Sequence, residues 1–548
     1  MYTNKTMMQF FEWYLKPDST HWNRVRKEAV NIKEAGITSV WLPPAYKGAG
    51  GVKDVGYAVY DLYDLGEFNQ KGTIPTKYGT KDEYLEAIKE LKKQGIEVLG
   101  DIVLGHKMGA DEQERIFAYG NDEYDRNRQI SGKQKVRVWT KFTFPGRNNK
   151  YSDFKWDWTN FHATDFNAEN HETGVYKFIG KEWDEDVDYE FGNYDYLMGV
   201  DLDMSDPEVV EELDKWGEWY YDFTGIDGFR IDAVKHIDFN FFREWLNKLR
   251  EKKEKDIFAV GEYWNAELNI LENYINKTER ALSLFDVPLH FHFYHASRSN
   301  GYYDMRYILK HTLVGTDPEL AVTFVDNHDT QPGQSLESWV LEWFKIHAYS
   351  LILLRNDGIP CIFYGDYYGI PHDKIKPVKN LDKLLKVRQN KNYGVLHDYF
   401  NDCSIIGWSR EGVDEIADSG LVVIMTISEG GNKRMYAGKH FAGLTFVDVL
   451  GNVDEEIIID ENGFGVFEVA DGSTSVYVLK EGQTVPKRSE EIFKDEVEFG
   501  ALEDIPDGVE PELFFGSNYT NKRIYEPENI EEIFENNVTE ASGQSEQN

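Results

Sequence analysis

Four short segments of this sequence place an acid or a histidine where an apolar run gives way to a polar one. They are Asp101-Ile-Val-Leu-Gly-His106, Gly228-Phe-Arg-Ile-Asp-Ala-Val-Lys-His236, Ala259-Val-Gly-Glu262 and Phe324-Val-Asp-Asn-His-Asp329. Two carboxyl groups on neighbouring loops can share one reaction. One protonates a leaving oxygen, and the other attacks or activates water as an oxocarbenium-like state develops. Arg230 and Asp232 are two apart on an extended segment, so they share a face while Phe229 and Ile231 take the other. A cation beside Asp232 favours its ionised, nucleophilic form. Glu262 is followed by Tyr263 and Trp264, aromatic surface that disfavours ionisation and suits a proton donor. His106 and His328 bring donors for ligand hydroxyls, and Asp329 a third carboxylate. Singly, each pattern also reads as an ion pair, a helix cap or a satisfied buried imidazole. It is the four strand ends arriving in sequence that point to one shared site.

The elements that must position these residues follow a βαβ rhythm. Strand candidates are Met7–Trp13, Thr38–Leu42, Glu97–Val103, Gly228–Asp232, Phe258–Tyr263, Leu284–Pro288, Ala321–Asp326 and Pro360–Tyr364, with helices at His21–Gly36, Thr80–Gly95, Pro207–Thr224 and Asn240–Lys255. Eight parallel strands with intervening helices specify a closed (β/α)8 TIM barrel, whose active site lies at the C-terminal strand ends. A doubly wound open sheet is the alternative. The barrel is expected over 1–104 and 201–391. The long interruption at 105–200 reads as a small inserted domain, being too long for a simple loop. Short alternating stretches from 392 to 486 read as a C-terminal antiparallel β-sandwich. An acidic extension at 487–548, with 17 Asp or Glu against 5 Lys or Arg, carries no assigned function.

Composition narrows the partners. A net charge of −37 repels nucleic acid and anionic membrane surfaces, whereas a neutral glucan meets no such repulsion. No apolar run reaches the length of a membrane span. Aromatic residues make up 15% of the chain, which supplies flat rings for stacking on sugars. The two cysteines imply neither a disulfide framework nor a cysteine metal cluster, and read as buried thiols. The start lacks signal-peptide regions, so a cytoplasmic protein is expected, with secretion after loss of a signal as the alternative; a monomer is expected as well.

With these motifs the sequence resembles the α-amylase family of glycoside hydrolases, in particular its liquefying bacterial and intracellular members, over about residues 5 to 485. Met8-Gln-Phe-Phe-Glu-Trp-Tyr14, Phe144-Pro-Gly-Arg147, Tyr151-Ser-Asp-Phe-Lys-Trp156, Gly192-Asn-Tyr-Asp-Tyr-Leu-Met198 and Gly358-Ile-Pro-Cys-Ile-Phe-Tyr-Gly365 extend the likeness. The resemblance implies Asp232 as nucleophile, Glu262 as acid/base and Asp329 as the carboxylate that binds the distorted sugar. It implies that Arg230 orients Asp232, that Tyr57 stacks on the sugar before the cut, and that His106 and His328 contact that sugar. Lys235, His236 and Trp264 fall to the rest of the substrate cleft, and Asp101 to a structural role.

The resemblance also implies calcium at the inserted domain, held by Asp195, Asp201 and the backbone of His236, with a second cluster at Asp184 and Asp203. Gly105, His162 and Ser205 stand where the family places oxygen ligands. One weakened calcium site is therefore the expectation, with metal-free acids as the alternative. The activity implied is retaining endo-hydrolysis of α-1,4 bonds in starch, glycogen or maltodextrins. A maltooligosaccharide-forming hydrolase, a transglycosylase and an inactive glucan-binding subunit are the other readings.

Overall fold

The computed structural model describes residues 4–486. The acidic extension expected at 487–548 lies outside the described residues. Eight short strands are all parallel and close on themselves: β1 Met7–Gln9, β2 Ser39–Leu42, β3 Glu97–Ile102, β4 Gly228–Ile231, β5 Phe258–Gly261, β6 Ser283–Phe285, β7 Ala321–Phe324 and β8 Ile359–Phe363. The sequence places all eight, most of them longer at the C-terminal end than the strands observed. At β6 it runs too far, because Asp286 caps a helix that begins at Val287 with Pro288 in its first turn.

Alternation along these strands sorts the side chains. Met7, Trp41, Leu99, Val260, Phe285, Val322 and Cys361 form one inner cluster, a packed barrel interior rather than a pore. Met8, Val40, Phe229 and Ile231 belong to the outer cluster beneath the helices. Arg230 is therefore an inward residue, fully buried, and the register sets it opposite Asp101 on β3 and Val260 on β5.

The helices begin where the sequence signals them. In Lys81–Lys93 the Thr80 hydroxyl accepts from the Glu83 amide while Glu83 reaches back, a capping box. Pro207–Thr224 follows an Asp206 cap and ends on Gly225 at φ +69°. Within it Gly217 must lack a side chain, because a Cβ there would lie 2.2 Å from the Trp245 ring of the next helix, Phe239–Lys253.

Between β3 and β4 the chain builds a six-stranded sheet, in the order His106–Lys107, Val200–Leu202, Phe161–Asn167, Glu172–Phe178, Glu112–Asn121 and Gln134–Lys141. A second six-stranded antiparallel sheet runs from Leu396–Tyr399 to Thr474–Leu479, accompanied by the pair Gly431–Tyr436 and Phe464–Val469. Cys361 is buried, but Cys403 is exposed, contrary to expectation. Among the described residues no helix is long and apolar enough to cross a membrane.

Candidate active site

At the C-terminal mouth of the barrel the Arg230 guanidinium joins three acids. Its Nη1 donates to Asp101 Oδ1 at 2.9 Å and to Asp232 Oδ1 at 2.6 Å, and its Nη2 to Glu262 Oε2 at 2.5 Å. Asp101 is saturated, since its other oxygen accepts from Trp41 Nε1 and the Tyr57 hydroxyl, both at 2.8 Å. Asp232 and Glu262 keep an oxygen free of Arg230. Just after Asp232 the backbone turns sharply: Ala233 holds φ +46°, and the Val234 amide bonds the Glu262 carbonyl at 3.0 Å. A non-glycine residue in this region costs free energy and is held by its surroundings.

Burial raises both reactive carboxyls. Glu262 is pushed up by burial, with Arg230 opposing and the Asp232 charge reinforcing. Asp232 is also raised by burial, against the pull of Arg230. Asp329, on the loop after β7, is raised well above the carboxylate range by burial and then by the charge of Glu262. Three acids in one water-poor mouth disfavour one another's ionisation, against the pull of Arg230.

Aromatic rings make one wall. Tyr57 lies parallel to Trp13 at 6.1 Å and stacks on His328 at 5.0 Å. Gln9 Nε2 donates to His328 Nδ1 at 3.0 Å, leaving its Nε2–H buried, without a partner and 3.4 Å from Asp329. Burial, with Arg230 nearby, lowers this imidazole well below its ordinary value and keeps it neutral. His106 is arranged differently. Its Nε2 donates to the Tyr57 carbonyl at 2.9 Å, and burial lowers its pKa to about 4. The nitrogen it has left is an acceptor, so the expectation that it donates to a hydroxyl is corrected.

Lys235 and His236 tie the inserted sheet to the barrel. Lys235 Nζ donates to Glu190 at 2.8 Å and to the Trp264 carbonyl at 3.2 Å, and His236 Nδ1 donates to the Tyr194 carbonyl at 2.8 Å. Trp264 packs against His290 and Phe291. The roles of Trp13, Trp41, Gln9 and Glu190 were not read from the sequence. Trp13, at the end of one strand candidate, and Trp41, one residue before the end of another, were the nearest to a visible signal.

The residues expected to hold calcium divide. His162, Asp195 and Asp201 converge with ligand atoms within 4.8 Å of one another. A cavity of about 10 Å³, room for one water-sized particle, is lined by Gly105, His106, Asp201, Asp232 and His236. Asp201 Oδ2 is buried without a well-aligned donor, and burial followed by the charge of Asp195 raises its pKa well above the usual range. A void beside Asp201, whose Oδ2 has only the His162 ring at 3.4 Å, fits a cation at the first position. The second position differs. Asp203 receives Lys181 Nζ at 2.6 Å, the Ser205 hydroxyl at 2.5 Å and His162 Nε2 at 2.9 Å. Asp184 keeps an unpartnered oxygen and is pushed up to about 8 by burial and then by the charge of Asp195.

Comparison with known proteins agrees with this geometry. A family model described as "Alpha amylase, catalytic domain" matches residues 25–402, and one described as "Alpha-amylase C-terminal" matches 421–478. An "Alpha-amylase" of Geobacillus stearothermophilus is 54% identical over 478 residues, covering 87% of each chain. A "Cytoplasmic alpha-amylase" of Escherichia coli (strain K12) is 43% identical, covering 87% of this chain and 99% of its own. The crystal structure of an α-amylase from Geobacillus thermoleovorans complexed with acarbose superposes with a TM-score of 0.58 at 19% identity, over 87% of this chain and 99% of that one, a likeness of fold. The matched catalytic model covers barrel strands β2 to β8 with all four strand ends, and the chain belongs to the α-amylase family of glycoside hydrolases.

Proposed function

We propose that this enzyme cuts internal α-1,4-glucosidic bonds of starch, glycogen or maltodextrins with retention, using Asp232, Glu262 and Asp329. The observation that carries the reading is the single buried guanidinium bonded to both Asp232 and Glu262 at the barrel mouth. Glu262, whose carboxyl burial pushes towards the protonated form, gives its proton to the glycosidic oxygen. The Asp232 carboxylate attacks the anomeric carbon as the carbon–oxygen bond breaks, forming a covalent β-glycosyl ester. Glu262, now ionised, takes a proton from water. That water opens the ester and releases the α-anomer. Asp329 and the unpartnered Nε2–H of His328 face the sugar, where hydroxyl contacts that tighten in the transition state lower the barrier.

Around the site we assign 1–104 and 201–391 to the barrel, 105–200 to the inserted domain and 392–486 to the C-terminal sheets. The strand ranges and the matched C-terminal model support this division. One chain carries the whole constellation, so a monomer suffices, and the cytoplasmic relative supports action inside the cell. Asp195, Asp201 and the His236 backbone would hold one calcium ion, whose chemistry is structural, fastening the inserted domain beside the cleft. At the second position Lys181 and His162 hold Asp203 instead.

The test is reducing-sugar release from soluble starch. Asp232→Asn is expected to lose about 10³-fold or more in turnover while remaining folded. Full activity in that variant, or the β-anomer appearing first by NMR, would overturn the reading.

A further inference from the structure

Behind β7 lies a buried chain of charges that the mechanism does not use. Lys345, on the helix Glu342–Leu354, has no exposed surface. Its Nζ donates to Asp326 Oδ2 at 2.7 Å and to Asp366 Oδ1 at 2.5 Å, and sits over the Trp339 ring. Asp366 also accepts from the Tyr349 hydroxyl at 2.6 Å.

Asp326 connects this pair of acids to the active-site loop. Its Oδ1 accepts from the Thr330 hydroxyl at 2.8 Å, and the Thr330 oxygen accepts from the Asn327 amide at 2.9 Å. Asn327 Oδ1 in turn accepts from the amides of Asp329 at 2.8 Å and Thr330 at 2.9 Å. The turn that carries Asp329 is therefore closed on Asp326, and Asp326 is an acid in an apolar surrounding that needs a cation to remain ionised. Burial pushes it up to about 7, against the pull of Lys345.

We propose that Lys345 is a positioning residue for the hydrolytic reaction, fixing Asp329 against the substrate through Asp326 and Thr330. The proposal rests on the reading of Asp329 as the third carboxylate. A carboxylate that acts only on the distorted sugar must be held to a fraction of an ångström, and a misplacement of about 1 Å can cost on the order of 100-fold. Losing Lys345 leaves Asp326 and Asp366 sharing a dry pocket without their cation. Asp326 then takes up a proton, and the turn loses its fixed acceptor.

The experiment compares Lys345→Met, Thr330→Val and Asp366→Asn for kcat and KM on soluble starch, per folded molecule by circular dichroism, with Asp329→Asn as reference. Lys345→Met and Thr330→Val are expected to lower kcat about 10- to 100-fold with KM within about threefold. Asp366→Asn leaves Lys345 on Asp326, and is expected to lower the melting temperature while kcat stays within about twofold. Thr330→Val keeps the charges intact, so it tests the link even if Lys345→Met does not fold. The proposal is overturned if Thr330→Val and folded Lys345→Met keep wild-type kcat, or if Asp366→Asn loses as much as they do. Full activity in Asp329→Asn would instead remove the reading on which the proposal stands.

Discussion

Arg230 Nη2 stands 2.5 Å from Glu262 Oε2, while the other arm of the same guanidinium bonds Asp232. The nucleophile and the acid that turns base in the second half of a retaining cycle thus share one buried cation. Its bond to Asp101, itself saturated by Trp41 and Tyr57, fixes the orientation from the barrel side. Arg230→Lys is expected to lower kcat/KM by at least about 100-fold, because an ammonium cannot make the planar two-armed contact. Steady-state kinetics on soluble starch measure this, and activity within tenfold of wild type would contradict it.

The aromatic wall predicts a different kinetic signature. Trp13 and Tyr57 lie 3° from parallel, and neither is placed to move a proton. Trp13→Ala is expected to raise KM for maltooligosaccharides about three- to tenfold, the worth of about 0.5–1.5 kcal/mol of ring contact, with kcat changed less. Tyr57→Phe keeps the ring but removes a donor from buried Asp101. It should lower kcat rather than raise KM.

Part of this site was legible because a period of two needs no tertiary knowledge. Arg230 and Asp232 had to share a face, and Phe229 and Ile231 the other, and the structure packs them so. The partners of Asp101 were not legible, since Trp41 and Tyr57 reach it across 60 and 44 residues through the closure of the barrel. The strands of the insertion went unread although Gln134–Lys141 alternates, with Val136, Val138 and Thr140 buried, because Arg and Lys on its outer face masked the pattern. His106 was recognised as a site residue, but its donor direction depends on the Tyr57 carbonyl, which no spacing shows.

Buried histidines contribute to the loss of stability in acid. Burial lowers His21 and His290 to about 3 and His347 to about 4. In the unfolded chain each binds a proton near about 6.5, so unfolding takes up protons below that pH. The stability that these depressed groups contribute is full above about 6.5 and is lost as pH falls towards 4 and below. The melting temperature should decline steadily from pH 7 to 4. His347→Gln, which can still donate to the Thr426 carbonyl bonded at 3.0 Å, should flatten the decline by the share of one proton. An unchanged slope would show that this imidazole is protonated in the fold.

The seam between inserted domain and barrel offers the last test. His162 is fully buried, with Nδ1 3.1 Å from Asp195 and 3.4 Å from Asp201, and Nε2 2.9 Å from Asp203. Burial would lower its pKa, but the three carboxylates outweigh burial and raise it well above the ordinary value. The ring fills space that a second hard cation would need, and Lys181 occupies the remaining oxygen of Asp203. A chelator is therefore expected to lower the melting temperature by removing at most one ion, and to leave much of the activity at moderate temperature. His162→Asp combined with Lys181→Ala replaces both cations with oxygen and space. That variant should be less stable than wild type in chelator, because five acids, Asp184 among them, then meet without a counter-charge, and should regain stability when calcium is added. Calorimetry with and without calcium reads the difference. If the double variant gains no more from calcium than wild type does, His162 and Lys181 do not occupy a cation's place.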